Sequence, residues 1–592
     1  MEEGTFNASF LYKYHEETGN EGETVEIQGN FPEWVNGTVF TIGPGKFHFQ
    51  ETGFTVNHIA DGYGIICKLA ISGKKITLWK KYVQSDALRK ANEAGKPVLA
   101  EIFTPSSTDV TKSTLGRIMS IVPEISDNGN HGIYYFGNKI HANNGLQYSR
   151  EIDPKDLSSG IKYDINKLGI TSSTSHPLID YDGTMYNTGS AISATGSKQK
   201  IFKIPGVKPG QNFKDSLKKL KVIATLTSSR IAYSYIHHSF GMSENYLVLV
   251  EQPYFLNAKK MIGSMFSVGQ LPLNDFSEWD PEERNRFVII EKSTGKILKR
   301  KIESSETFFF LHVINCYEEN NQLIFDVLAY PDLAHIDKLF LNNLIDGGCC
   351  KPETTGIFKR FILPLTENFG GGFGSEVTLR SDNTVIVKGA CMSQQGLQHA
   401  VIINPKYRFR KHRFAYGNSG FFVQGPYANK IVKMELTTGK ETAWEFEEDC
   451  LLGEIIFIPN PNGIDEDDGI LLAGVSYGFR KGGQRFVVFV CAKTMVEIGR
   501  AKFRNPVGLY FHSVYVPFMH RICGLNNNGL TQGLGKGCFL LRNYSRVCRR
   551  LLSIFTILYP ISSAGEGGFK KVRSNLSESN NWGILWNMRQ WF

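Results

Sequence analysis

The chain lacks the usual sequence marks of a membrane, secreted or nucleic-acid-binding protein. No apolar run reaches the roughly 18 residues that a membrane-spanning helix needs. The best stretch, Leu551 to Ile561, is short and contains Pro560. Met1-Glu2-Glu3-Gly4-Thr5-Phe6 has neither the basic n-region nor the apolar h-region of a secretory leader. It also lacks the arginine-rich, acid-poor character of a mitochondrial presequence. The 10 cysteines are scattered, with Cys349-Cys350 adjacent and no CxxC spacing, which points to a reducing compartment and structural or free thiols.

Excess charge is missing from most of the chain as well. The formal charge is +9, but ten basic residues lie beyond Phe518, opposed only by Glu566 and Glu578. The body is therefore close to neutral and gives no reason to expect nucleic-acid binding. A composition of 41% hydrophobic and 21% charged residues lies in the globular range.

Strand and turn material is abundant instead. The 59 glycines and 12% aromatics suit many strands joined by tight turns. Phe31 to Gly45 and Val56 to Ile66 both alternate apolar residues with turn residues. A hairpin of one type recurs at Ile152 to Leu157, Glu291 to Lys296, Leu436 to Lys440 and Cys491 to Met495, as where outer strands of propeller blades fold back. Helical patterns are few: Leu88 to Ala94, Asp275 to Arg286 and Asp332 to Leu344. That is too sparse for alternating βαβ units. The fold class expected is all-β, a β-propeller with helices in insertions. Residues 1–25 read as a loose lead-in, 26–520 as the propeller, and 521–592 as a basic, low-order tail.

Four histidines stand in or beside strand-like apolar runs: His176 in Thr174-Ser175-His176-Pro177, His238 in Tyr235-Ile236-His237-His238, His312 in Phe310-Leu311-His312-Val313, and His512 in Tyr510-Phe511-His512-Ser513. Innermost propeller strands converge on the axis, so distant histidines of this kind can meet at one metal. Imidazole suits iron, copper and zinc alike. Around an octahedral iron, four neutral ligands leave two open positions. His237 rivals His238, but neighbours on a strand face opposite sides, so only one can be a ligand. His15, His48, His131, His141, His335, His412 and His520 read as packed or solvated residues. Glu454, in Leu452-Gly453-Glu454-Ile455, is a carboxylate inside an apolar strand. It needs a partner, either a metal-bound imidazole N–H or a buried salt bridge.

Together these segments resemble the carotenoid cleavage oxygenases, the family of the animal β-carotene oxygenases and the retinoid isomerohydrolase of the retinal pigment epithelium. The resemblance runs from about Phe31 to about Val516. Besides the four histidine settings it rests on Pro32 to Thr38, Gly43-Pro44-Gly45, His58 to Ile65, Glu251-Gln252-Pro253, Phe414-Ala415-Tyr416-Gly417 and Glu466-Asp467-Asp468-Gly469. It implies a seven-bladed propeller with a helical cap over the metal-bearing face and non-haem Fe2+ on the axis. It implies His176, His238, His312 and His512 as ligands, with Glu454 as one of three supporting glutamates. It implies a lipophilic polyene and O2 as substrates, cleavage of a double bond to two carbonyl products, and a cytoplasmic monomer that touches membranes peripherally. Gly145 and His399 stand where the family carries its other two glutamates. Two further readings stay open: a retinoid isomerohydrolase of the same family and, on the ground of Gly145 and His399, a catalytically impaired carotenoid-binding member.

Overall fold

A computed structural model describes residues 16–518, apart from 108–124, 194–195, 229, 231–232, 265–270, 346–354, 367–375, 394–396, 398, 420–428, 447–449, 478–483 and 506–509. All of these residues belong to one unit, Met1–Phe518. Most of the lead-in and the whole basic tail lie outside the described residues.

Strands dominate because β-branched and aromatic residues alternate between turns. Among the described residues, seven sheets have four or more strands, and two small ones have two and three. Most are antiparallel meanders, such as Phe309–Glu319, Gln322–Tyr330, Ile357–Pro364 and Ala390–Cys391. The C-terminal strand His512–Pro517 joins the N-terminal sheet by pairing with Gly37–Lys46, from Gly37 opposite Pro517 to Ile42 opposite His512. That pairing closes the ring.

Each sheet buries one face against the next. Phe40 and Ile66 of the N-terminal sheet pack on Ile133 and Ile140 of the second. Phe136 and Tyr163 carry that sheet onto Met185 and Phe202. Tyr186 meets Leu247, Val248 meets Phe325, Phe358 meets Val432, and Tyr416 meets Phe457 in turn. The last interface sets Ile458 and Phe489 against Val39 and Leu69 of the first sheet. Among the described residues these apolar seams follow one another round a closed ring, and the fold is an all-β propeller.

The recurring hairpin is real and has one geometry. In each case an N–H bonds the carbonyl four residues back: Leu157 to Asp153, Gly295 to Glu291, Gly439 to Glu435, and Met495 to Cys491, at 2.8–2.9 Å. The donor residue has a left-handed backbone, with φ of 61°, 75°, 71° and 57° respectively. Glycine takes that conformation freely, and Leu157 and Met495 adopt it because their side chains are buried in the seams.

Helices are short and peripheral. Asp86–Ala94 forms where Ser85 caps Leu88 N–H, the Asp127 carboxylate takes the N–H groups of Asp86 and Ala87, and Gly95 ends the helix with φ 66°. The pattern over 332–344 resolves into Ala334–Asp337 and Leu341–Ile345. The expected helix over 275–286 is wrong. A 3₁₀ turn at Leu273–Phe276 leads into the strand Ser277–Trp279, and Pro281 follows before the strand Arg286–Glu291. Pairing of Trp279 with Tyr254 outweighs the local helical pattern. Among the described residues no helix is long and apolar enough to cross a membrane.

Candidate metal centre

The histidines sit where edge strands are interrupted. His176 lies between Ser172–Ser173 and Leu178–Ile179, two short strands that both pair with Met185–Ser193. His238 precedes Gly241–Met242, an edge strand of the next large sheet. His312 falls in a register shift between Phe310 and Val313. His512 opens the ring-closing strand. A break in the pleat re-aims a side chain that regular alternation would fix, and bulges recur at functional sites for that reason.

The structure brings these four together, and no other histidine among the described residues joins them. One nitrogen from each of His176, His238, His312 and His512 lies within 4.8 Å of the others. His176 Nε2 stands 2.9 Å from His238 Nε2. Two ligands at right angles on a metal with bonds of about 2.05 Å would be about 2.9 Å apart. Ring centroids are 4.4–4.9 Å apart, with interplanar angles of 57–80°, so the rings surround a point rather than stack. Burial, reinforced by neighbouring imidazoles, holds His176 well below the usual histidine range. The same causes bring His238 down to about 3. Both are therefore neutral near pH 7, the form that binds a metal. Four imidazoles around one point fit a divalent transition metal.

Glu454 occupies a fifth break, between Cys450–Leu452 and Ile456–Pro459, both paired with Gly469–Tyr477. Its Oε1 accepts from His512 Nδ1 at 3.2 Å, and its Oε2 from the Ser513 hydroxyl at 2.5 Å. That bond fixes the tautomer and leaves His512 Nε2 for the centre. Of the two alternatives for this carboxylate, the imidazole partner is present, and no salt bridge to lysine or arginine is formed among the described residues.

His237, the rival of His238, is outside the group. It is enclosed nearby with Tyr235 at 6.3 Å, and burial lowers it to about 4. Gly145 does border the centre. Its φ is +75°, and a Cβ there would lie 2.9 Å from the hydroxyl of Ser175, the residue before His176. His399 is in the strand His399–Ile402, opposite Asn418.

Sequence reasoning passed over His131. It stands beside the centre, 6.2 Å from Phe511 between ring centroids, with Nε2 2.8 Å from Ala60 O and Nδ1 3.1 Å from Asn144 O. Burial lowers its pKa. Its polar setting, Asn128-Gly129-Asn130-His131, carries no apolar alternation, so strand periodicity could not have singled it out.

The family model described as retinal pigment epithelial membrane protein matches residues 13–517. The β,β-carotene 15,15'-dioxygenase of Gallus gallus is 28% identical over 525 residues, covering 86% of this chain and 98% of the relative. The carotenoid isomerooxygenase of Galleria mellonella is 27% identical over 502 residues, 83% of this chain and 93% of that one. A variant of the apocarotenoid oxygenase of Synechocystis superposes with a TM-score of 0.68 at 18% identity, covering 86% of this chain and 98% of the other. The cobalt-substituted Synechocystis enzyme does so with a TM-score of 0.67 at 20% identity, over 85% and 97%.

Proposed function

The chain belongs to the retinal pigment epithelial membrane protein family of carotenoid oxygenases, and from that premise we propose that it is a non-haem Fe2+ dioxygenase that splits a double bond of a carotenoid or apocarotenoid. The observation that carries this reading is the meeting of His176, His238, His312 and His512 within 4.8 Å. The reaction balances as an alkene plus O2 giving two carbonyl compounds, with both oxygen atoms from O2 and no proton gained or lost. When bound, the iron would supply the redox chemistry that lets ground-state O2 react with a polyene.

The protein's share is ligation, orientation and exclusion of water. His176, His238, His312 and His512 would hold the metal as neutral donors. Glu454 fixes His512 by its Nδ1–H and is itself fixed by Ser513. Beside His512, Phe511 packs against Phe47, Val56, Ile59 and Leu341. Close by, His58 stacks on Phe103 at 3.9 Å, with Phe340 edge-on at 5.0 Å. These groups make the surroundings of His512 largely apolar, which suits a polyene, a substrate with no polar handle. No acid or base is called for, which agrees with imidazoles held neutral.

In this reading residues 26–520 are the catalytic propeller, a span supported by the family match over residues 13–517, and the enzyme works in the cytoplasm at membrane surfaces that hold its substrate. The test is incubation of the iron-loaded protein with β-carotene and 18O2, followed by product analysis. Labelled aldehydes are expected. Absence of carbonyl products from a panel of carotenoids and apocarotenoids would overturn the proposal, and oxygen-independent turnover of a retinyl ester would replace it with isomerohydrolysis.

A further inference from the structure

Three polar side chains cross the N-terminal sheet in one row. Residues directly opposite on neighbouring antiparallel strands share a face, with Cβ atoms about 4.5–5.5 Å apart. Cys67, in the strand Tyr63–Ser72, stands opposite Thr41 of Gly37–Lys46 on one side and opposite Lys80 of Lys75–Tyr82 on the other. The row lies on the face turned to the last sheet, where Leu69, Ile76 and Leu78 pack against Ile458, Val487 and Phe489. A lysine on the other face behaves in the ordinary way. Lys68 reaches over the Trp79 ring at 4.7 Å and donates to Lys155 O.

Lys80 does not. It is 0% exposed, as is Thr41, and Cys67 is 1% exposed. Neither Lys80 Nζ nor Thr41 Oγ1 has a hydrogen-bond partner among the described residues. A long lysine stem can lie in an apolar seam at little cost when its head reaches water. Here the head is enclosed with the stem. An enclosed ammonium without a counter-ion is costly, and a buried lysine relieves that cost by giving up its proton. Burial lowers the Lys80 pKa, Arg485 of the last sheet acts the same way, and Cys67, Glu16 and Glu23 oppose it. The polar side chain directly across from this amine is a thiol that is in no disulfide.

We propose that Lys80 and Cys67 are a covalent modification site, at which O2 joins the two strands by an Nζ–O–Sγ bridge. The amine, the thiol and one O2 give the bridge and one water. One N–H bond, the S–H bond and the O–O bond break, and an N–O and an S–O bond form. One oxygen atom stays in the bridge, and the other leaves as water with the two hydrogens released. Nitrogen and sulfur lose two electrons each, and O2 takes all four. O2 is small and apolar, so it can enter a seam closed to charged oxidants. The bridge removes the orphaned amine from the seam and ties Tyr63–Ser72 to Lys75–Tyr82. Like other early steps of cysteine oxidation, it reverts with a thiol reductant. It depends on sheet register and burial and not on the metal centre, so its absence would leave the oxygenase reading standing.

The test uses the full chain, purified under nitrogen with reductant, freed of the reductant, and divided between air and nitrogen. Each sample is digested and mapped by mass spectrometry. In air the peptides carrying Cys67 and Lys80 should be joined, with one oxygen gained and two hydrogens lost. Dithiothreitol should part them, and the nitrogen sample should show them separate. Lys80→Met, which keeps an apolar stem and has no amine, should yield no joined peptide. Peptides that stay separate in air, oxygen on Cys67 with Lys80 unjoined, or a joined pair that dithiothreitol does not part would overturn the proposal. So would the same mass change at Cys67 in Lys80→Met, and the wild-type map decides by itself if that variant does not fold.

Discussion

Removing the carboxylate behind His512 is the sharpest test of the metal centre. Glu454 accepts from His512 Nδ1 at 3.2 Å and from the Ser513 hydroxyl at 2.5 Å. Glu454→Gln keeps one neutral acceptor oxygen and loses the charge. Charge-assisted hydrogen bonds are about twice as strong as neutral ones, so the imidazole keeps its orientation but loses basicity. Glu454→Ala removes both acceptors and leaves the Ser513 hydroxyl and the His512 N–H without their acceptor. Loss of such a supporting partner costs about 10–100-fold in metal affinity, or about 1.4–2.7 kcal/mol. The glutamine variant should fall near the lower figure and the alanine variant near the upper. The assay is anaerobic titration of apo protein with Fe2+ or Co2+ against a competing chelator, read as a dissociation constant independent of turnover. An alanine variant that binds metal within twofold of wild type would show that His512 does not need this partner or does not ligate.

Three more outcomes follow from the same geometry. His238→Ala should lose stoichiometric metal by elemental analysis, whereas His237→Ala should keep it at a cost of about 1–3 kcal/mol in denaturant stability from the lost packing. Gly145→Ala should destabilise by about 1 kcal/mol through its left-handed backbone and leave metal affinity unchanged; Gly145→Glu carries the same strain but adds a carboxylate beside Ser175 and should raise affinity several-fold, so equal affinities would refute that role. Burial lowers the non-ligand histidines His58, His237 and His412 to about 4 and His141 to about 3, so the unfolded chain binds more protons below pH 6.5 and stability falls as pH drops from there toward 4. Buried Asp61, raised to about 7, and Glu101, raised as well, act in the opposite sense, so the histidine share is read by difference: the denaturation midpoint of His141→Phe should fall less between pH 7.5 and 5.5 than that of the wild type.

Much of this is legible in the amino-acid sequence. Period-two alternation and the repeated hairpin identified strands and outer turns, because those signals are local. The four clustered histidines were legible for a different reason: each stood in or beside an apolar run where an unpaired imidazole has no structural role. Glu454 was found by the same logic of a charge out of place. What stayed hidden depended on contacts between distant segments. The stretch 275–286 looked helical, and only the pairing of Trp279 with Tyr254 decided otherwise. His131 lies in a polar turn that looks solvated, and closure of the ring carries it to Phe511.

The closing strand joins these observations. A propeller made of one chain must fasten its ends, and here six register pairs from Gly37–Pro517 to Ile42–His512 do so. His512 is the last of those pairs, so a candidate ligand of the centre sits on the fastening itself. His312 and His512 are far apart in sequence, and unfolded chain would hold them apart. A metal that binds all four imidazoles therefore binds the closed ring alone, and stabilises closure in proportion to its affinity and concentration. Any change that weakens the His512 bond, Glu454→Ala included, should loosen the seam of Gly37–Lys46 with His512–Pro517 before any other. Amide hydrogen exchange in that strand pair, compared with and without metal, should show the coupling.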